Sequence, residues 1–414
     1  MSRAAKRARK VTPVDTLSVS SRKALSNRIV NELSQTNSLQ NSLELYFQHV
    51  GTLGSGTYGK VEDFLCRQTL DSVAVKQVKV HADCPDLAND TDTTMLVLAE
   101  GKLLLFLSKH MSCHSPHFID AYGFELYRKK AHGPQATFTL VMQTGQSNLH
   151  KMLPEWNNEA NSSKLLGVVI QTLWGIAAMR KLGISHNDLG TANVLIDYCA
   201  ENASIKHDSG VALCTHGVVA KICDFGMATQ HEYWHDETAS AELSEDNMIS
   251  SSGRCDPRSK HGSIYGYLFE NEDRNPSNCK PMSLDGIPEN YNIVDSGKAL
   301  LHPVYYKQLT DDNRDFVYFC NLVYTYISDE GVQPVAHYIK AILKRSNESI
   351  PVVVKQVTTP TFICKYHRII DLFDNMESNT TSYTLPTNAE ADALRNLLNA
   401  ELRATPILDQ IYSN

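Results

Sequence analysis

The stretch His186-Asn187-Asp188-Leu189-Gly190-Thr191-Ala192-Asn193 and the later Asp224-Phe225-Gly226 carry the most informative polar residues of this chain. Short apolar runs at 194–196 and 218–223 lie between them, and each predicts a strand. Asn193 and Asp224 supply oxygen ligands of the kind that Mg²⁺ takes together with phosphate oxygens and water. The pattern therefore predicts a site for a magnesium-bound phosphate ligand where these segments meet.

A glycine-rich turn lies upstream, with the sequence Leu53-Gly54-Ser55-Gly56-Thr57-Tyr58-Gly59-Lys60-Val61. Glycines allow backbone N–H groups to close over phosphates because no Cβ stands in the way. In a dinucleotide-binding fold such a turn leads into a helix, whereas residues 61–65 continue here as a strand. The turn is therefore predicted to join two strands of a β-hairpin that covers phosphates.

Two charged residues lie in otherwise apolar segments after this turn. Lys76 ends the strand-like run Val73-Ala74-Val75-Lys76, and Glu100 is the sole acidic residue between Thr93 and Ile119. A carboxylate among apolar side chains costs free energy unless it is paired, and Lys76 is the natural partner. The alternatives are a lysine that reaches solvent along its stem and a glutamate on an exposed helix face. The order of the motifs favours the buried pair.

Composition narrows the class of protein. The chain has 414 residues and a net charge of −7, and its ten cysteines follow no repeated spacing. A protein that coats nucleic acid needs a positive footprint, so no direct nucleic-acid binding is expected. No uninterrupted apolar run approaches the roughly 18 residues of a membrane span, and the N-terminus lacks the apolar core of a secretory signal. The scattered cysteines indicate free thiols in a reducing, intracellular compartment.

The chain divides by composition. Residues 1–45 are rich in Ser, Asn, Lys and Arg and are predicted to be a disordered tail. Its basic run Lys6-Arg7-Ala8-Arg9-Lys10 is either a nuclear import signal or a solvated tail, so a nuclear or cytoplasmic location is expected. Residues 46–145 have strand-like patterns around one helix at 93–108. Residues 146–414 are mostly helical, with a strong period at 163–183. Two lobes with the motifs at their junction are predicted.

A cluster of possible metal ligands also lies in the first half: His110, Cys113, His114 and His117. It is either a metal site or the polar turn between an apolar helix and a strand. The spacing fits no standard zinc pattern, which favours the turn.

The motifs together resemble the eukaryotic-type protein kinase superfamily over residues 47–345. The resemblance implies an α+β, bilobal fold with a β-rich N-lobe that holds one C-helix and a mainly helical C-lobe. It also implies ATP and Mg²⁺ as cofactors and protein Ser/Thr hydroxyls as acceptors. In that family Asp188 would orient or accept the hydroxyl proton, Lys76 and Glu100 would order the phosphates, and Asn193 and Asp224 would hold the metal.

The resemblance extends to the nucleotide pocket. Residues 139–145 resemble the hinge between the lobes, with Met142 as the gatekeeper, and His114-Ser115-Pro116-His117-Phe118-Ile119 resembles the loop after the C-helix. The nucleotide-binding residues that it implies are Leu53, Gly54, Ser55, Gly56, Gly59, Val61, Ala74, Lys76, Met142, Gly145 and Leu195.

The sequence departs from the family at several positions. Asn187 stands where most kinases carry the arginine that clamps a phosphorylated activation loop, which predicts activity that is independent of such phosphorylation. Gly190 stands where Ser/Thr kinases carry a lysine. The interval between Asn193 and Asp224 is longer than in compact members. The activation segment, 224–303, is also long, and its closing motif is either Pro288-Glu289 or Pro303. Spacing to Asp315, the expected start of the F-helix, favours Pro303.

Alternatives to an active Ser/Thr kinase are a pseudokinase or scaffold, which binds nucleotide without efficient transfer, and a tyrosine or dual-specificity kinase. A kinase that acts on a small molecule is a further alternative, and it would predict turnover of sugars or aminoglycosides without autophosphorylation. The chain keeps the catalytic residues but departs from the family at regulatory positions. In this combination it resembles kinases of large DNA viruses, including the herpesvirus group. The expected partners are protein substrates, no membrane association is expected, and the oligomeric state is left open.

Overall fold

The protein is described by a computed structural model. It describes residues 17–56, 59–81, 91–128, 135–207, 212–231, 248–250, 314–327, 333–345, 350–366 and 380–403. Both candidates for the closing motif of the activation segment, at 288–289 and at 303, lie outside these residues, as does the basic run at 6–10.

A five-stranded antiparallel sheet in the order β1-β2-β3-β5-β4 forms the first lobe. Successive side chains of a strand point to opposite faces, and both faces of the central strand β3 are buried. Ala74, Val78 and Val80 belong to the core that continues into the second lobe, whereas Val73 and Val75 belong to a separate core on the outer face. The strands are β1 (Phe47–Gly56), β2 (Gly59–Cys66), β3 (Ser72–His81), β4 (Ala121–Arg128) and β5 (Gln135–Gln143).

Two N-terminal helices, α1 (Val19–Leu33) and α2 (Leu39–Tyr46), cover that outer face. The predicted disorder of residues 1–45 is therefore wrong for 19–45, and residues 1–16 lie outside the described part of the chain. Ile29, Leu33 and Leu43 are buried against the sheet. The polar composition masked this amphipathic stripe, whose burial removes the apolar outer face of the sheet from water.

Helix α3 (Thr91–Phe106) follows β3 and packs on the other face of the sheet. It continues into a π-helical turn, Leu107–Met111. The predicted helix at 93–108 is confirmed. The histidine and cysteine cluster at 110–117 lies in the turn after it, where His117 Nδ1 is 3.0 Å from Ala220 O. Within the described residues, no group of His, Cys, Asp and Glu side chains could hold a metal ion.

The second lobe is built around helix α5 (Ser162–Lys181), in which nearly every side chain is buried. Residues 159–181 are long and apolar enough to cross a membrane by length and composition, but 89% of their most apolar window is buried inside the fold. The other helices are α4 (Leu149–Trp156), α6 (Arg314–Tyr326), α7 (Gln333–Leu343), α8 (Ile350–Val357), α9 (Pro360–Tyr366) and α10 (Asn388–Arg403).

In the described part of this lobe, short strands form three small sheets of order β11-β8-β6, β13-β12-β7 and β10-β9-β14. The predicted strands at 194–196 and 218–223 are confirmed as β8 and β11. Together the lobes give the predicted α+β, bilobal architecture. The strands are β6 (Ser147–Asn148), β7 (Ile184–Ser185), β8 (Val194–Tyr198), β9 (Ser204–Lys206), β10 (Ala212–Cys214), β11 (Val218–Ile222), β12 (Thr229–His231), β13 (Met248–Ser250) and β14 (Thr380–Ser382).

Candidate active site

Lys76, Glu100 and Asp224 meet where the two lobes face each other. Lys76 Nζ lies 2.8 and 2.9 Å from the two carboxylate oxygens of Glu100 and 2.8 Å from Oδ1 of Asp224. The predicted pairing of Lys76 with Glu100 is therefore present. Strand β3 supplies the lysine, helix α3 the glutamate and the turn after β11 the aspartate, so the contact requires the two lobes to be aligned.

Burial and charge act against each other in this group. Burial lowers the pKa of Lys76, but the carboxylates of Glu100 and Asp224 outweigh that effect and raise it well above its ordinary value. Partial burial also opposes ionisation of Asp224, whose side chain is half exposed, yet Lys76 holds the pKa of that carboxyl below its usual range. The ammonium and the Asp224 carboxylate are therefore charged at neutral pH.

Contacts of its two sequence neighbours hold the backbone around Asp224. Asp224 has a left-handed conformation with φ of +63°, and the Cys223 carbonyl just before it lies 2.9 Å from Nε2 of His186. Phe225 is fully buried, with its ring 4.9 Å from that of His186 and 6.4 Å from that of Phe118. Anchoring the phenylalanine inside the core leaves the Asp224 carboxylate directed at Lys76.

Asp188 and Asn193 lie in one compact loop after β7. Asn193 Nδ2 donates to the backbone oxygen of Asp188 at 2.7 Å and to its Oδ2 at 3.3 Å. Burial raises the pKa of Asp188, while His186 and the Asn193 hydrogen bond partly offset the shift. A carboxylate with a raised pKa is a better proton acceptor than a fully solvated one, as general-base chemistry requires.

A buried carboxylate from α6 supports this loop. Asp315 accepts from the backbone N–H of His186 at 2.6 Å and from that of Asn187 at 2.8 Å. Asn187 has φ of +63°, a conformation that Asn tolerates better than most residues. Asp315 was predicted to open the helix at this position, and α6 begins at Arg314.

Asn187 also reaches the start of the activation segment. Its Nδ2 donates to the carbonyl of Met227 at 3.0 Å. Strand β12 then pairs with β7 through Thr229 and Ser185. Two neutral contacts thus fasten the start of this segment to the loop that holds Asp188.

The glycine-rich turn and the hinge flank the predicted nucleotide pocket. Gly54, Ser55 and Gly56 pair with β2 as a hairpin, as predicted, whereas Thr57 and Tyr58 lie outside the described residues. Position 59 requires glycine, because a Cβ there would clash with the carbonyl oxygen of Gln77. Leu53 is 40% exposed on the hairpin.

The other pocket residues adjoin one another across strands. Val61 pairs with Lys76, and Ala74 pairs with Met142. An added Cβ on Gly145 would lie 2.9 Å from Cβ of Leu195, so the chain after β5 packs tightly on β8. The structure thus places Val61 and Ala74 on neighbouring strands of the first lobe, with Met142 beside Ala74, and places Gly145 against Leu195.

Sequence reasoning missed a buried polar cluster behind the hinge. Gln143 Nε2 donates to Asp197 at 2.8 Å, and Lys221 Nζ donates to Gln143 Oε1 at 2.5 Å and lies 3.3 Å from Asp197. All three are buried. The available signal was a charged residue in each of two apolar strands, β8 and β11, which are adjacent in one sheet.

The donor set fits magnesium and a nucleotide. Asp224 offers a carboxylate that is half exposed, and Asn193 commits its amide nitrogen to Asp188, which leaves the amide oxygen as its metal-binding atom. A few carboxylate and amide oxygens combined with phosphate oxygens suit Mg²⁺.

Comparison with known proteins agrees with this geometry. Residues 47–245 match the family described as protein kinase domain. The chain is 28% identical over 209 residues to MAP kinase kinase kinase win1 of Schizosaccharomyces pombe, which covers 50% of this chain and 13% of that protein. It is 24% identical over 208 residues to the serine/threonine-protein kinase SSK22 of Saccharomyces cerevisiae, covering 48% and 14%.

The serine/threonine-protein kinase grp of Drosophila melanogaster is 27% identical over 178 residues, covering 43% of this chain and 27% of grp. The chain therefore spans about a quarter or less of the length of the curated relatives it matches. The family match covers residues 47–245, and the two-lobed architecture and the assembled lysine, glutamate and aspartate agree with it, so this part of the chain is similar to a protein kinase domain.

Proposed function

We propose that the protein is an active ATP-dependent kinase that phosphorylates Ser or Thr hydroxyls of proteins. The observation that carries this proposal is the assembled contact of Lys76 with both Glu100 and Asp224. Inactive relatives commonly lack one of the charged residues, whereas this chain keeps all of them together with Asp188 and Asn193. The Ser/Thr kinases among its relatives support the choice of acceptor.

The roles of the residues follow from their contacts. ATP bound with Mg²⁺ supplies the phosphoryl group that is transferred. Asn193 and Asp224 would hold the metal, and Lys76, oriented by Glu100, would hold phosphate oxygens. Asp188 accepts or orients the proton of the substrate hydroxyl, and Asn193 fixes its carboxylate through the 3.3 Å hydrogen bond. Catalysis then rests on positioning and on charge stabilisation.

Phosphoryl transfer is the test of this proposal. The wild-type protein, Lys76→Met and Asp188→Ala should be incubated with labelled ATP and mixed protein substrates. We expect Asp188→Ala to lower the rate on the order of 10²- to 10⁴-fold, since it removes the proton acceptor. Lys79→Met is the matched control, because Lys79 lies exposed on the same strand. Wild-type activity equal to that of Asp188→Ala would contradict the proposal.

A scaffold that binds nucleotide without efficient transfer is the second candidate, and a tyrosine or dual-specificity kinase is the third. Gly190, which stands where Ser/Thr kinases carry lysine, is the observation that favours both. A scaffold would bind ATP and Mg²⁺ in a thermal shift assay yet show no transfer that Asp188→Ala removes. Phosphoamino-acid analysis of the products separates Ser/Thr from Tyr.

The setting of the activity belongs to the same proposal. We place the protein inside the cell, in the nucleus or cytoplasm, because the run at 6–10 is basic and the cysteines follow no disulfide spacing. Its partners are protein substrates rather than nucleic acid or membranes. The style of its departures from the family supports an origin in a large DNA virus. Imaging of the tagged protein with and without residues 6–10 tests the location.

A further inference from the structure

The C-terminal helix of the described chain lies against α3, the helix that carries Glu100. Ala391, Leu394, Leu398 and Leu402 repeat at intervals of three and four residues, which places them on one face of α10. Leu398 is fully buried and belongs to the same core as the side chains of α3. The α10 helix is therefore packed on α3 through an apolar stripe.

Polar contacts fix this packing at several points. Lys102 of α3 donates to the carbonyl of Glu401 at 3.1 Å. His114, in the turn after α3, lies with Nδ1 2.7 Å from the carbonyl oxygen of Thr384. At the start of α10, Asn388 accepts from Lys181 of α5 at 3.0 Å. The segment 384–401 thus joins α3 to the main helix of the C-lobe.

The segment before α10 is anchored on an insertion. The extra residues between Asn193 and Asp224 include β9 and β10, which pair antiparallel, and β14 adds to β9 in parallel. Tyr383 is buried there, and its N–H donates to the carbonyl of Lys206 at 2.8 Å. The insertion that distinguishes this chain from compact kinases therefore holds the C-terminal segment to the second lobe.

We propose that α10, anchored through β14 to the insertion, holds α3 in the position at which Glu100 reaches Lys76, and that Leu398 is a positioning residue for phosphoryl transfer. The contact between Lys76 and Glu100 is 2.8 Å long, so a shift of α3 by a fraction of a helical turn breaks it. The apolar packing of α10 opposes that shift from within the same chain, so no second protein is needed. The inference rests on the proposed kinase activity.

The chain provides a matched pair of leucines for the test. Leu398 is fully buried and Leu397, its neighbour, is 41% exposed. In the full chain, Leu398→Ala should lower kcat about tenfold, equivalent to about 1.4 kcal/mol of barrier, with Leu397→Ala unchanged. Leu398→Met, which keeps the apolar volume, should restore kcat. Amide hydrogen exchange should rise across 97–106 and stay constant across α5.

The outcomes separate positioning from general destabilisation. Equal kcat for the two alanine variants, or faster exchange in α5 as large as that in α3, would overturn the inference. If Leu398→Ala does not fold, Leu402→Ala, at a half-buried position of the same stripe, takes its place with the same expected results. A wild-type protein without transfer activity refutes the proposed function instead, and the exchange comparison still tests whether α10 holds α3.

Discussion

Asn187 combines a backbone role with a side-chain role. Its N–H is held by Asp315, its φ is +63°, and its amide nitrogen donates to the carbonyl of Met227. In most kinases the residue at this position is an arginine that binds a phosphate on the activation loop. Here the contact is neutral and is present without any modification.

Substitution of Asn187 separates these two roles. Asn187→Gly keeps the left-handed backbone and removes the amide, so kcat should fall several-fold, by about the 1 kcal/mol of one hydrogen bond. The kcat of Asn187→Ala should fall further, because alanine is strained at this φ. Steady-state kinetics measure both. Treatment of the wild type with phosphatase should leave kcat unchanged, and a large loss would contradict phosphate-independent anchoring.

A pair of buried histidines predicts acid sensitivity. His117 and His207 face each other with their Nε2 atoms 3.2 Å apart. Burial, with Arg22 and Lys221 nearby, lowers the pKa of His117 to about 3, and burial together with His117 lowers that of His207. Both are therefore neutral in the folded protein at pH values where the unfolded chain takes up protons.

The free energy of unfolding should accordingly decrease as the pH falls below about 6.5, the ordinary histidine value. The loss is about 1.4 kcal/mol per pH unit for each histidine, continuing towards the folded pKa. Urea unfolding at pH 7.5, 6.5 and 5.5 measures it. His207→Phe should make the dependence on pH shallower, and an unchanged slope would exclude His207 as its source.

At the scale of elements, periodicity predicted the strands of the sheet, α3 and α5, because these are long and regular. Residues 350–357, read as IPVVVKQV, form helix α8 although their β-branched residues suggest a strand, since tertiary packing overrides propensity. The pairing of Lys76 with Glu100 was predicted, because Glu100 is the sole acidic residue of an apolar helix, whereas the contact of Lys76 with Asp224 was not. The cluster of Gln143, Asp197 and Lys221 was not predicted, because its members come from three different strands. Gln143 is 54 residues from Asp197 and 78 residues from Lys221 in the sequence.

The contact between the hinge and β8 gives a prediction at this scale. In Gly145→Ala the new Cβ would meet Cβ of Leu195 at 2.9 Å, and a Cβ cannot rotate away. The strand that floors the predicted adenine pocket must therefore move. We expect KM for ATP to rise several-fold while kcat changes less, as measured by varying ATP. Gly51→Ala, where an added Cβ meets nothing within 4 Å and which lies outside the predicted pocket residues, is the comparison.

At the scale of the whole molecule, a buried ion pair ties the N-terminal helices to the lobe that they cover. Arg22 of α1 lies 2.6 Å from Asp120, just before β4, and both are buried. Burial opposes both charges, but each partner stabilises the other, so the pKa of Asp120 stays below its usual value. The Asp120 backbone in turn accepts from Gln143 at the hinge.

Removal of one partner should leave a buried charge uncompensated. Arg22→Ala should lower the free energy of unfolding by about 3–5 kcal/mol. Arg28→Ala is the control, since Arg28 is half exposed and its pair with Asp71 is longer, at 3.3 Å, so the loss should stay below about 1 kcal/mol. Chemical denaturation measures both, and equal losses would contradict the buried-pair argument.

The hydroxyl of Tyr383 donates to the carbonyl of Leu17, a contact between residues 366 positions apart. At synthesis rates of roughly 5–20 residues per second, Leu17 leaves the ribosome about 20 to 70 seconds before Tyr383 does. The sheet and the helices that cover it are complete in sequence by then. The first lobe can therefore fold early, while the small core of Leu17, Ile205, Val219 and Tyr383 closes last, and slow translation would prolong the exposure of its apolar surface.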